Sequence, residues 1–256
     1  MKTVSELLEQ SLKIYKTFFS LLAGYAAWLL LPYAGIVLVS LIPNNNLIYT
    51  LSLFFTLIQS LLALWLGIFI PLLVREIVND NKKIPFTVLQ SKAWQIIPSV
   101  VFVAILELAV FLGGFILLVI PGLIFWVWFS MAQMAVTLGE KKGVAALTYS
   151  RELIRGQFWK FVWRLISGPF VVFITVMIIT SALISIIAAA TETPFASILN
   201  KTPPLWSEII YTITETFSMP IILIYFTLLY LDLVTVLPPP QPSPTVAVRE
   251  GESLEK

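Results

Sequence analysis

The sequence predicts an all-α integral membrane protein, a bundle of six spans arranged as helical hairpins. Three observations predict it. Hydrophobic residues make up 59% of the 256 residues and charged ones only 12%. That is about half the charged share of a soluble domain, too little to cover a water-facing surface of this size. The apolar residues also fall in runs longer than the roughly 18 that mark a membrane span. Finally, the Lys and Arg residues fall almost entirely on one side of the alternation that those runs impose.

Residues 3–16 read as an amphipathic helix, with Val4, Leu7, Leu8, Leu12 and Tyr15 mainly on one side. Lys2, Glu6, Glu9, Lys13 and Lys16 supply its polar face. Thr3 and Glu6 have the spacing of a capping box, in which hydroxyl and carboxylate satisfy orphan backbone donors. Such a helix is expected to lie in the headgroup plane. The first span is predicted over 17–42, interrupted by Pro32, and closes on a turn at Pro43 and Asn44 to Asn46. Asparagine makes turns by bonding its own backbone, and proline stops the helix.

The second span is predicted over 47–74, ending with Pro71. A polar segment from Arg75 to Lys83 follows, then a short interfacial helix from Phe86 to Trp94. The third span, 96–119, is broken from the fourth, 123–138, by Pro121-Gly122. A charged segment, Glu140 to Arg155, has Val144, Leu147, Leu153 and Ile154 on an apolar side, and Gly156 fits a helix C-cap. The fifth span, 158–190, exceeds the roughly 20 residues needed to cross. It must tilt, bend at Gly168-Pro169 or begin in the interface. After a proline-containing loop the sixth span covers 207–232, with Pro220 inside. The membrane domain is thus residues 1–236. Residues 237–256 form a Pro-rich tail, expected to be disordered and cytoplasmic. Long apolar segments without period-two alternation mean helices rather than a barrel, because every backbone polar group in a bilayer must pair internally.

Fifteen of the sixteen Lys and Arg residues lie on one side, and only Lys201 on the other. The positive-inside rule then places both ends of the chain in the cytoplasm, with the protein in the cell membrane. The three cytoplasmic segments share a weak plan, an amphipathic helix followed by a hydrophobic hairpin. Leu8-Glu9-Gln10-Ser11 leads to Tyr15, Val88-Leu89-Gln90-Ser91 to Trp94, and Leu147-Thr148-Tyr149-Ser150 to Phe158-Trp159. Internal repetition and the ordinary gathering of aromatic rings at interfaces both account for this pattern.

There is no cysteine and no histidine. That removes disulfides, thiolate chemistry, the usual metal-ligand sets and the commonest general base. No catalytic constellation, metal site or cofactor is expected. A net charge of +2 is too small and scattered for a nucleic-acid surface.

The most informative residue is Glu107, near the middle of the third span. A carboxylate there costs about 2.5–3.5 kcal/mol on insertion scales and should face the bundle. Gln59 and Gln133 are candidate hydrogen-bond partners. A proton, cation or lipid-headgroup site and a protonated packing residue are both open readings. Tyr230 and Asp232 end the last span, where Asp232 can pair with Arg151, Arg155 or Lys160. Glu140 and Arg151 allow a similar structural clamp. Arg151, Arg155, Lys160 and Arg164 form a basic band suited to anionic lipid. Trp126, Trp128, Trp159 and Trp163 read as an anchoring belt.

Three stretches carry a resemblance. One is Ile120-Pro121-Gly122 followed by Glu140, Gly143, Ala145-Ala146, Ser150, Gly156 and Phe158-Trp159. The second is Leu228-Leu229-Tyr230-Leu231-Asp232-Leu233 with Pro220 upstream. The third is Leu7-Leu8-x-x-Ser11-Leu12-x-x-Tyr15. Together they resemble the membrane domain attached to some bacterial glycerophosphodiester phosphodiesterases and its stand-alone prokaryotic relatives. The resemblance implies a six-helix membrane domain and no activity, since the phosphodiesterase chemistry belongs to a separate barrel domain. The expected role is a non-enzymatic module that binds membrane lipids or organises a membrane partner, with a second copy of the chain also open. The alternatives are a small transporter or channel using Glu107 and an enzyme of lipid metabolism.

Overall fold

The computed structural model describes residues 2–40, 45–79, 86–194, 198 and 204–236. The predicted turn at Pro43 and Asn44, the basic pair Lys82 and Lys83, Lys201 and the tail from 237 lie outside the described residues. The chain is all-α: α1 Val4–Thr17, α2 Phe19–Ala27, α3 Leu30–Ser40, α4 Asn45–Val78, α5 Phe86–Leu117, α6 Val119–Phe129, α7 Ala132–Thr137, α8 Val144–Ile154, α9 Phe158–Ala190 and α10 Leu205–Val236. Six helical stretches are long and apolar enough to cross a membrane, and this is a multi-pass membrane protein: Phe19–Ser40, Asn46–Val78, Phe86–Ile116, Val119–Thr137, Phe158–Ala190 and Leu205–Thr235.

Two breaks sit where proline chemistry puts them, though not on the prolines themselves. The first span breaks at Trp28–Leu29, and Pro32 lies in the first turn of α3. Proline lacks the N–H that would reach the carbonyl four residues back, and its ring collides with that carbonyl. Trp28 is that residue, and its carbonyl accepts the Leu31 N–H at 3.3 Å instead. The same logic corrects the Pro121-Gly122 turn. The chain reverses at Leu118, extended at φ −166° and ψ 150°, and Pro121 again sits in the first turn of the following helix. Gly122 is buried inside α6 against the backbone of Phe115, which lets the hairpin close.

Phe86 to Trp94 do not form a separate interfacial helix. They are the first turns of α5, which runs unbroken through Pro98 for 32 residues. The proposed threefold plan therefore has separate leading helices only at α1 and α8. Nor does α2 follow α1 without a joint: the helix breaks at Phe18.

α1 has its capping box: Thr3 Oγ1 accepts the Glu6 N–H, and Glu6 Oε2 accepts the Thr3 N–H at 2.7 Å. That backbone bond holds the Glu6 carboxyl below the usual carboxylate range. The helix packs on α9 and α10, and its buried face is Leu7, Ser11 and Tyr15, not the Leu8–Leu12 side. Leu12 is exposed. Ser11 can be buried because its hydroxyl donates to the Leu7 carbonyl at 2.7 Å. In α8 likewise Val144 is exposed, while Ala146, Leu147, Ser150, Leu153 and Ile154 face inward. Gly156 follows at φ +87°, the left-handed conformation its position demands.

α10 lies at the centre, against α1, α2, α4 and α9. The core is concentrated toward the basic end of the bundle, in Leu66 to Val74 of α4 and Ile224 to Leu233 of α10. Most of α5 and α9 instead presents apolar side chains outward, such as Phe102, Ile105, Phe170 and Ile178. In lipid that surface needs no cover.

The fourth span is not one helix. It breaks at Ser130–Met131, and Ser150 of α8 is set into the break. Its hydroxyl donates to the Trp128 carbonyl at 2.7 Å and accepts the Met131 N–H at 3.2 Å. One fully buried side chain thus satisfies a donor and an acceptor that the helix no longer can. Ser150→Ala should destabilise the protein by about 1–3 kcal/mol, the cost of two stranded polar groups. A thermal midpoint in detergent unchanged from wild type would refute this role.

Candidate functional site

Glu107 and Gln133 meet between α5 and α7. Gln133 Nε2 donates to Glu107 Oε2 at 2.8 Å. The other oxygen, Oε1, is buried and has no hydrogen-bond partner among the described residues. Both side chains line a cavity of about 420 Å³ walled by α4, α5, α6, α7, α9 and α10. Its lining is mostly apolar, with Ser130 and Thr137 as further polar groups. The break at Ser130–Met131 opens onto it. Gln59 is not part of the site. It is half-buried on α4, and the residues of α4 that reach the cavity begin at Ala63, one turn further along. Glu107 lies 15 positions beyond Lys92 on the same helix, about 22 Å at the helical rise.

A cavity of this size falls within the range of small-ligand sites, where an apolar wall carries a few placed polar groups. The chemistry available is narrow. A carboxylate fixed on one oxygen can accept from a hydroxyl, an amine or a cation at the other, or exchange a proton.

The clamp at the basic end differs from expectation. Asp232 does not pair with Arg151, Arg155 or Lys160. It pairs with Arg164, Nη1 to Oδ2 at 3.1 Å, with both side chains buried. Both carboxylate oxygens also take the Lys2 backbone N–H at 3.1 Å. Arg164 is one and a half turns into α9, on the face toward α10. Arg155 lies past the end of α8 and Lys160 is exposed. The start of α1, the early turns of α9 and the end of α10 are therefore tied at one carboxylate.

Tyr230, also buried, is set with its hydroxyl beside Gly139 and near Tyr149. Glu140 does not engage Arg151. It bonds Lys92 at 2.8 Å in an exposed pair, and the Lys92 ammonium holds its carboxyl below the usual range. Arg151 stacks over Trp128, 4.6 Å from the ring centroid. Arg155 and Lys160 have no ion pair among the described residues. Trp126, Trp159 and Trp163 are exposed, while Trp128 is half-buried under Arg151.

Sequence reasoning did not single out Ser150 as a joint, the Arg164–Asp232 pair, or Tyr225. The last donates its hydroxyl to the Arg164 carbonyl at 2.7 Å. Gly168 is the available signal for Tyr225, since the absence of a side chain there leaves room for a large ring at the α9–α10 crossing.

No protein-family model, no curated protein and no solved structure matches this chain.

Proposed function

We propose that this protein is a non-enzymatic binding module of the cell membrane that holds a lipid-like amphiphile in the interhelical cavity at Glu107. The observation that carries the reading is the carboxylate there, with one oxygen held by Gln133 and the other buried without a partner beside about 420 Å³ of largely apolar space. A buried polar oxygen is costly unless something bonds it. An occupant with an apolar body and a hydroxyl or amine meets both halves of the site.

The reading extends to placement. The basic bias puts both ends of the chain on the cytoplasmic side. Arg155 and Lys160 then face anionic headgroups, at about 1 kcal/mol for each basic residue near the surface. The sequence resemblance read above is compatible with this role and adds no activity to it.

The test is native mass spectrometry of protein extracted gently from its membrane, beside Glu107→Gln. The amide keeps the shape and removes the charge. A retained molecule of defined mass, lost or at least tenfold depleted in the variant, is expected. A bare particle in both proteins would sink the binding reading.

One observation favours transport as a second reading. The fourth span is discontinuous at the cavity, and broken helices beside an intramembrane carboxylate are a recurrent arrangement in transporters. That reading predicts a flux across reconstituted vesicles that Glu107→Gln abolishes.

A further inference from the structure

A second pocket, of about 290 Å³, lies between α2, α4 and α5. Its walls are Tyr25, Trp28, Trp65, Gln90 and Trp94, with two leucines. The rings are ordered by one another. Trp65 stacks on Phe69 with centroids 4.9 Å apart and planes 6° from parallel, and stands 6.0 Å from Trp94 and 5.9 Å from Tyr25. The Pro32-driven break at Trp28–Leu29 forms one rim. Trp28 and Trp94 are about half exposed, at 58% and 48%, and mark the mouth.

Beside the amide oxygen of Gln90, this pocket offers mainly donors. Trp65 is 8% exposed, and its indole Nε1 is buried without an acceptor among the described residues. An indole N–H can only donate. Gln90 Nε2 donates to the Tyr25 hydroxyl oxygen at 2.8 Å, which leaves the Tyr25 hydrogen to donate elsewhere. Among the described residues no charged side chain lines the pocket. The missing complement is a neutral acceptor oxygen on an apolar body, not an ion.

The level of the pocket narrows the source. Gln90 and Trp94 flank Lys92 on α5, each within about 3 Å of it along the axis. Lys92 makes the exposed ion pair with Glu140, which belongs in water or headgroups rather than in hydrocarbon. The oxygen found at that boundary, with acyl chain on one side and headgroup on the other, is the ester carbonyl of a glycerolipid. Trp and Tyr gather at the same level.

We infer that the Tyr25–Trp65–Gln90 pocket is a glycerolipid site, in which an ester carbonyl accepts from the Trp65 indole N–H and the Tyr25 hydroxyl while an acyl chain lies against Trp28 and Trp94. It is separate from the Glu107 cavity and stands whether or not that cavity binds anything.

The experiment titrates the detergent-purified full chain with dioctanoyl phosphatidylglycerol and, separately, with its dioctyl ether analogue, reading adducts by native mass spectrometry. The ester lipid is expected to bind at one equivalent here, and the ether analogue at least tenfold more weakly. Trp65→Phe keeps the ring and removes the donor, and should cost the ester lipid about tenfold. Tyr25→Phe, which keeps the ring and removes the second donor, reads the same site should Trp65→Phe fold poorly, and should also weaken the ester lipid. Equal binding of ester and ether, or ester binding unchanged in the variant that folds, overturns the assignment. A decyl benzoquinone that displaces the ester lipid stoichiometrically would overturn it too, giving the carbonyl to a different molecule.

Discussion

Gly168→Ala should lower the thermal midpoint of the detergent-solubilised protein more than any other single-methyl change in its helices. A Cβ built at Gly168 overlaps the ring of Tyr225. Tyr225 is fully buried, and its hydroxyl reaches past Gly168 to the Arg164 carbonyl. The ring has nowhere to go: overpacking alone costs about 1–3 kcal/mol. Pushing the hydroxyl off the carbonyl strands the buried Tyr225 O–H and adds about 1–3 kcal/mol. The control is Gly24→Ala in α2, where an added Cβ meets nothing within 4 Å and alanine is the better helix former. Gly24→Ala should be neutral or slightly stabilising. Tyr225→Leu should recover part of the loss in Gly168→Ala, because it removes the collision though not the missing bond. Equal midpoints for the two alanine variants would show that α9 and α10 do not cross as tightly as Gly168 allows.

The same crossing shows what kind of information the sequence carries. The spans were legible because apolar length is a property of each segment alone: Phe19–Ser40 and Phe158–Ala190 need no partner to be recognised. Proline effects were legible in kind but displaced in position. The constraint acts on the carbonyl four residues back, so the breaks fall at Trp28–Leu29 and Leu118. The inward faces of α1 and α8 were legible in Leu7, Tyr15, Leu147, Leu153 and Ile154 but not in their serines, because serine counts as polar in a periodicity argument. Ser11 and Ser150 nonetheless face inward, each satisfied by a backbone group close at hand. Partner choice was the least legible. Asp232 had three basic candidates, Arg151, Arg155 and Lys160, and the rotation of α9 selects instead a fourth member of the same band, Arg164. Gln133, not Gln59, reaches Glu107 for a similar reason.

Several residues of the three stretches read for a resemblance in the sequence are joints of this kind: Ser150 in the helix break, Gly156 at a left-handed cap, Asp232 in the buried pair. They hold the fold and say nothing by themselves about a ligand. The groups that suggest binding, Glu107 Oε1 and the Trp65 indole, are those the fold leaves unsatisfied. Neither belongs to those stretches.

Breaking the Arg164–Asp232 pair from one side should cost more than removing both partners. The two side chains are each 8% exposed and 3.1 Å apart. A charge left alone in such a site costs about 3–5 kcal/mol, whereas replacing a whole buried pair by apolar groups is often neutral or better. Asp232→Leu should therefore be severe, leaving Arg164 without its carboxylate and the Lys2 N–H without its acceptor. Arg164→Met leaves a carboxylate that still accepts from Lys2 and should be the milder single change. The double variant should recover at least half of the loss seen in Asp232→Leu, measured as thermal midpoint by the same assay. Asp232→Asn separates the two functions of the carboxylate: it keeps an oxygen for Lys2 and removes the charge facing Arg164. If it behaves like wild type, the oxygen's role in docking α1 outweighs the ion pair. If it falls as far as Asp232→Leu, charge neutralisation of Arg164 is what holds the basic end of the bundle together.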